Sequence, residues 1–223
     1  MFQTGRIVKK PHYTILRQVV SPENCELLAD YAQFKAQLKP NTTQNVDPLD
    51  KVHREYGDPF LELLLEKVTP MIAHTLGCAV WPTLSFYYVY QHGTELKPHS
   101  DRSSCQWVAS LCIGADPAFK KTQKTWPLIL KIKDKKTEIK LHDGDILLFK
   151  GHETEHWRER FTGQWFVSAI FAFVEQDGPY AFQKYDQRAS LGKPHVGMFH
   201  WTWGCLKQKF KQCSRFLLRT KLE

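Results

Sequence analysis

No stretch of the 223-residue chain approaches the ~18–20 consecutive apolar residues of a membrane-spanning helix, which argues against an integral membrane helix protein. The first ten residues carry Arg6, Lys9 and Lys10 but no apolar signal core, so a cytoplasmic protein is expected. The six cysteines (Cys25, Cys78, Cys105, Cys112, Cys205, Cys213) form no C-x-x-C pair, which removes zinc knuckles and dithiol redox motifs and makes reduced thiols the expectation. Also missing are the Gly-x-x-x-x-Gly-Lys loop, Gly-x-Gly-x-x-Gly and Gly-x-Ser-x-Gly, the signatures of nucleotide-binding folds and serine hydrolases. There is no internal repeat and no low-complexity tract.

With 42% hydrophobic and 24% charged residues, the composition is globular and suits one domain, with a core large enough to bury. Thirty-one basic against 23 acidic residues leave +8, which permits an anionic partner without requiring one. Residues 13–20 are branched and aromatic, and Ser21-Pro22-Glu23 supplies a cap, a first-turn proline and an acid for a helix over 22–34. Residues 39–46 read as a surface loop. Asp58-Pro59 caps a second helix whose stripe is Leu61, Leu64, Leu65, Val68 and Ile72, with Pro70 placed to kink or split it. After Gly77 the pattern changes to short runs rich in Val, Ile, Phe, Tyr and Trp at 81–90, 106–113, 126–133, 138–141, 145–150 and 165–174. Helices followed by many short strands predict a mainly β sandwich or barrel buttressed by N-terminal α-helices.

The segment Gly93-Thr94-Glu95-Leu96-Lys97-Pro98-His99-Ser100-Asp101 comes directly off a strand. In extended backbone, residues two apart share a side, so His99 and Asp101 can offer an imidazole and a carboxylate to one ion. A third ligand is available from 144–157, where an apolar strand is followed by His152 and His156. Two histidines and one carboxylate on one face leave other positions open, the arrangement used by non-haem Fe(II) oxygenases.

His-x-Asp after Gly-x-x-Leu, then Gly-Asp-x-x-x-Phe with a histidine seven residues past Phe149, resembles the Fe(II)/2-oxoglutarate dioxygenase superfamily, in particular its prolyl 4-hydroxylase-like branch. The chain is also similar to a microbial and viral group of that superfamily through 99–105, Trp126-Pro127, His156-Trp157-Arg158-Glu159 and Asp177-Gly178-Pro179. The resemblance implies a double-stranded β-helix (jelly roll) over 81–178, with 1–80 supporting it and 179–223 as an extension. It further implies Fe(II) held by His99, Asp101 and His156, and hydroxylation with O2 and 2-oxoglutarate, which is decarboxylated to succinate; ascorbate is an accessory candidate. His152 is the rival to His156, while the turn histidines His92 and His142 read as surface groups.

In prolyl-hydroxylase-like enzymes a base nine or ten positions after the distal histidine pairs with the far carboxylate of 2-oxoglutarate, and here those positions hold Trp165 and Phe166. A dicarboxylate calls for a forked cation, so Arg158 is the first candidate, Arg102 the second and Lys131 the third. Each has an ordinary alternative: Arg158 pairing with Glu155 or Glu159, Arg102 bracing Asp101, Lys131 in solvent. Tyr90, sharing a face with Tyr88, either contacts the cosubstrate or fills the barrel; Trp107, Trp126 and Phe149 read as core. The missing base motivates an alternative, a non-catalytic jelly-roll metal-binding protein; a cupin-like enzyme without cosubstrate lacks its histidine spacing. The tail 201–223 interleaves basic and aromatic residues, suited to a docking helix or to contact with nucleic acid or an anionic membrane. The substrate, a protein or a small molecule, is not coded in loops 41–52 and 116–125, although Lys120, Lys121 and Lys124 would suit an acidic one.

Overall fold

The structure, a computed structural model, describes residues 6–38, 52–122 and 124–193. Strands β1 (Ile7–Lys10) and β2 (Tyr13–Leu16) lead into helix α1 (Pro22–Leu38), strand β3 (Val52–Tyr56) and helix α2 (Pro59–Leu76). Then follow β4 (Val80–Gln91), β5 (Leu96–His99), β6 (Trp107–Ala115), the short α3 (Pro117–Lys121), β7 (Leu128–Ile132), β8 (Lys135–Ile139), β9 (Ile146–Phe149), β10 (His156–Arg158) and β11 (Trp165–Glu175). A 3-10 turn, Ala181–Gln187, closes the described part of the chain. The strands form a seven-stranded sheet in the order β1-β2-β9-β6-β11-β4-β3 and a four-stranded sheet in the order β5-β10-β7-β8. Every pairing is antiparallel, and the two facing sheets are the expected jelly roll.

Strand periodicity of two sorts the residues into two cores. On β4, Tyr87 and Val89 point outward and meet Leu28 of α1 and Leu61, Leu64, Leu65 and Val68 of α2. Leu84, Phe86, Tyr88 and Tyr90 point inward, between the sheets, towards Leu128 and Leu130 of β7 and Phe149 of β9. The large sheet is therefore covered on one face by helices and on the other by the small sheet, which explains why its strands read as near-continuous apolar runs.

Helix α1 extends to Leu38, one turn beyond the expected end, and α2 runs unbroken through Pro70. Pro70 lies on the exposed face while Val68 and Ile72 on either side are fully buried, so water can satisfy the Glu66 carbonyl that loses its donor. The polar strand β3 has no apolar signature because it is the edge of the sheet, paired among the described residues only with β4.

Candidate active site

His99 ends β5 and His156 begins β10, and the two are register partners. Asp101 follows β5 in extended chain whose N–H donates to the Gly151 carbonyl at 3.0 Å. This brings the ligand atoms of His99, Asp101 and His156 within 4.8 Å of one another. The His99 Nε2 lies 3.6 Å from Asp101 Oδ1, and the His156 Nε2 lies 3.7 Å from Oδ2.

The ring nitrogens on the far side settle the tautomers. His99 Nδ1 is 2.8 Å from the Lys97 carbonyl and His156 Nδ1 is 2.9 Å from the Thr154 carbonyl. A carbonyl only accepts, so both Nδ1 atoms carry the hydrogen and both Nε2 lone pairs face Asp101. Burial lowers the pKa of His156, opposed by the Asp101 charge, which keeps the imidazole in its ligating neutral form. Two oriented imidazoles and one carboxylate on one side of an open space fit a divalent iron with positions left for exchangeable ligands.

Gly151 is part of this geometry and the sequence reading did not single it out. A Cβ there would stand 2.5 Å from Asp101 Oδ2 and 2.5 Å from Val108 Cγ2, so only glycine lets the carboxylate reach its place. The rival His152 is turned away: its Nδ1 lies 3.2 Å from the Gln106 carbonyl and its ring packs edge-on to Tyr180.

The triad opens into a cavity of about 320 Å³ between the sheets, lined among others by Phe86, Tyr88, Tyr90, Arg102, Ser168 and Arg158. Arg158 is 4% exposed, donates to the Trp126 carbonyl, and has its guanidinium carbon 4.8 Å from the Trp126 ring centroid and 5.0 Å from that of Phe166. Among the described residues no carboxylate pairs with it, and burial lowers its pKa. A caged cation without a counter-ion is costly unless an anion joins it. Phe166, one of the two positions at which the resemblance led a base to be expected, forms one wall of that cage.

Tyr90 is buried beside this guanidinium, its ring 5.0 Å from that of Trp126 and 5.5 Å from that of Tyr88. Arg102 sits at the rim, its side chain 53% exposed and its Nη2 2.6 Å from Asp186 Oδ2 rather than on Asp101. Burial works against the Arg102 charge, yet Asp186 outweighs it and raises the pKa. Lys131 faces outward onto Glu155 at 3.1 Å, away from the cavity. His142 and His92 are exposed, as expected, the latter with Nδ1 3.1 Å from the Gly163 carbonyl. Lys120 pairs with Asp143, and none of Lys120, Lys121 and Lys124 lines the cavity. Trp126 and Phe149 are buried and Trp107 is partly so. Asp186 and Ser168 were not picked out from sequence; alternation along β11 from Phe166 would have found the serine, whereas nothing local marks the aspartate.

The family model described as "2OG-Fe(II) oxygenase superfamily" matches residues 9–162. No curated protein matches. Among solved structures, a Pseudomonas putida prolyl-4-hydroxylase is similar at 13% identity and TM-score 0.57, covering 74% of this chain and 94% of that one. The viral collagen prolyl hydroxylase of Paramecium bursaria Chlorella virus-1, in complex with 2-oxoglutarate, is similar at 14% identity and TM-score 0.53, covering 73% and 94%. The non-heme alpha ketoglutarate dependent epimerase SnoN from nogalamycin biosynthesis is similar at 10% identity and TM-score 0.59, covering 83% and 88%.

Proposed function

Since the chain belongs to the 2OG-Fe(II) oxygenase superfamily, we propose that His99, Asp101 and His156 hold its iron and that Arg158 anchors 2-oxoglutarate for the hydroxylation of a substrate yet to be identified. The observation that carries this reading is the convergence of two Nε2 lone pairs and one carboxylate within 4.8 Å at the mouth of a cavity whose buried arginine lacks a described counter-ion. Fe(II) and 2-oxoglutarate bound there supply the oxidising chemistry, in which dioxygen is consumed, the keto acid leaves as succinate and carbon dioxide, and an oxygen atom enters a C–H bond.

The chain's own part is positional. The Lys97 and Thr154 carbonyls hold the two imidazoles by Nδ1–H and so aim Nε2. Arg158 offers a forked, permanently charged donor to the far carboxylate, and Trp126 and Phe166 keep water from competing for it. Tyr90 is placed to set the orientation of the keto acid beside that arginine. The apolar wall of Leu84, Phe86 and Ile170 keeps bulk water from the reacting centre.

The test is succinate formation from 2-oxoglutarate in the full-length chain. It should require Fe(II) and disappear in His99→Ala and Asp101→Ala; turnover that survives both changes overturns the assignment. The non-catalytic alternative drew on the missing base near position 165, and Arg158 in the same cavity takes away that motive. Four described cysteines, Cys25, Cys78, Cys105 and Cys112, are free thiols, which supports placing the protein in a reducing, cytoplasmic compartment. No described helix is long and apolar enough to cross a membrane. The basic segment 201–223 lies outside the described residues, as does most of the loop 41–52, and contact with nucleic acid or an anionic membrane is proposed for that segment on its charge alone.

A further inference from the structure

The cavity holds two arginines in different settings. Arg158 lies at its base, fully enclosed, while Arg102 lies at its rim, next in sequence to the metal-facing Asp101. With Arg158 assigned to the cosubstrate, the rim cation needs its own account. Arg102 is held through one Nη2 contact to Asp186, a carboxylate only 2% exposed. The Tyr56 hydroxyl donates to that same carboxylate oxygen at 2.7 Å. Asp186 reaches this place through three successive left-handed residues, Tyr185, Asp186 and Gln187, at φ 54°, 55° and 60°. Backbone of this kind in side-chain-bearing residues concentrates where a group must be held for function. The guanidinium is thus held at one nitrogen, is half-exposed, and belongs to a residue that lines the cavity, so it has donors left over for a ligand there.

Beside it runs an aromatic wall. Phe86 stacks on Tyr88 with centroids 5.7 Å apart and planes at 29°, and Tyr88 on Tyr90 at 5.5 Å and 17°. Rings that use their faces on one another present edges to the space beside them, and ring edges carry the positive end of the quadrupole. Such a wall favours the face of a flat, electron-rich group or an oxyanion. A cavity near 320 Å³ sits at the low end of the range of about 300–1,000 Å³ for ligand sites, and it must also hold the metal and the keto acid. Only a limb of the substrate enters, so its charged group remains near the rim.

We propose that Arg102 is the substrate-recognition residue of this site, and that the substrate carries an oxyanion, a carboxylate or a phosphate, next to a planar apolar group that packs against Phe86 and Tyr88. Asp186 is the positioning residue that aims Arg102. The inference rests on the reading of the cavity as an oxygenase site and adds the substrate class to it.

The test uses the full-length chain loaded with Mn(II) and 2-oxoglutarate, titrated by calorimetry with three probes: 3-phenylpropanoate, phenyl phosphate and the neutral 3-phenylpropanamide. At least one of the two anions should bind ten times or more tighter than the amide, and the tighter one identifies which oxyanion is recognised. Arg102→Gln should bring acid and amide to equal affinity, and Arg102→Lys should restore part of the difference, because the charge returns without the fork. Tyr88→Leu should weaken all three probes alike; should the Arg102 variants fold poorly, it and the wild-type comparison still decide the matter. Equal binding of acids and amide to wild type, or an undiminished preference in folded Arg102→Gln, overturns the proposal while leaving the oxygenase reading intact. Failure of 2-oxoglutarate to bind with Mn(II) sinks that reading first and this inference with it.

Discussion

At Gly151 a side chain and the Asp101 carboxylate would compete for the same space, with Val108 closing off the other direction of retreat. Gly151→Ala should therefore fold only by displacing the ends of the Asp101 and Val108 side chains, which pushes the carboxylate off the line it shares with His99 and His156. Disturbing the immediate support of a metal ligand lowers affinity by about 10–100-fold. A Mn(II) titration followed by electron paramagnetic resonance should show that loss, and an unchanged affinity would mean the carboxylate is not a ligand. Arg158 poses the opposite case, a cation whose burial burdens the empty protein and helps only once an anion arrives. Arg158→Met keeps the stem packed between Trp126 and Phe166 and removes the charge. Thermal unfolding without ligand should be unchanged or shifted upward, while 2-oxoglutarate affinity in the presence of Mn(II) falls by roughly 30-fold or more, the scale of truncating one partner of a buried charge pair. A lower melting temperature with intact 2-oxoglutarate binding would make Arg158 a core brace.

Helix α2 owes its start to Asp58, which is buried and accepts N–H hydrogen bonds from Phe60 and Leu61. The same carboxylate receives the Tyr31 hydroxyl at 2.8 Å and lies 3.2 Å from Lys35 Nζ, so one side chain both caps α2 and ties it to α1. Asp58→Ala should cost about 2 kcal/mol, the upper end for an N-cap, read as a lower urea midpoint with an unchanged slope. A loss within about 0.5 kcal/mol, the scatter of plain surface substitutions, would show that the apolar stripe alone holds the helices. This cap was legible from Asp58-Pro59 because capping chemistry is local, as were the apolar runs at 81–90, 106–113 and 165–174, which became β4, β6 and β11 and are buried on both faces. Strand β3 was not legible: Val-His-Arg-Glu-Tyr lacks alternation, and its pairing with β4 is set by residues 30 to 38 positions later. Likewise Pro70 misled, since an exposed proline is tolerated where packing on both sides holds the helix.

Across the whole molecule, the parts of the site that lay within one short motif, His99 with Asp101 and Phe149 with His156, could be read from the sequence, while the links spanning the chain could not. Arg102 finds Asp186 over 84 positions and Glu62 finds Arg188 over 126. Neither has a periodicity or a spacing rule to announce it. Burial in this architecture also decides thiol chemistry. It pushes the thiols of Cys25 and Cys105 up to about 12, and that of Cys112 higher still, while Cys78 is exposed. Of these four, iodoacetamide at neutral pH should modify only Cys78 until the chain unfolds, as peptide mass spectrometry would show; rapid labelling of Cys105, which lines the cavity, would mean that the reagent enters the cavity and that burial does not protect this thiol. The link between Glu62 and Arg188 has the largest consequence. Arg188 Nη2 lies 2.6 Å from Glu62 Oε1, Nη1 lies 3.1 Å from Oε2, and both side chains are about 1% exposed. This pair fastens the end of the Ala181–Gln187 turn, and hence Asp186 and Arg102, to α2 behind the large sheet. Left-handed side-chain-bearing residues cost about 1–3 kcal/mol each, so the turn requires such a clamp. Arg188→Met leaves Glu62 charged and buried with only the Gly192 N–H as partner and should lower stability by about 3–5 kcal/mol, whereas the double variant Glu62→Met/Arg188→Met should recover part of it, because the buried charge is gone while the Thr83 carbonyl and the Gly192 N–H still lose their partners. Denaturation of the two single variants and the double one forms a closed cycle. Singles that add up to the double would show that the two charges act independently and that the turn over the cavity rim is held by packing alone.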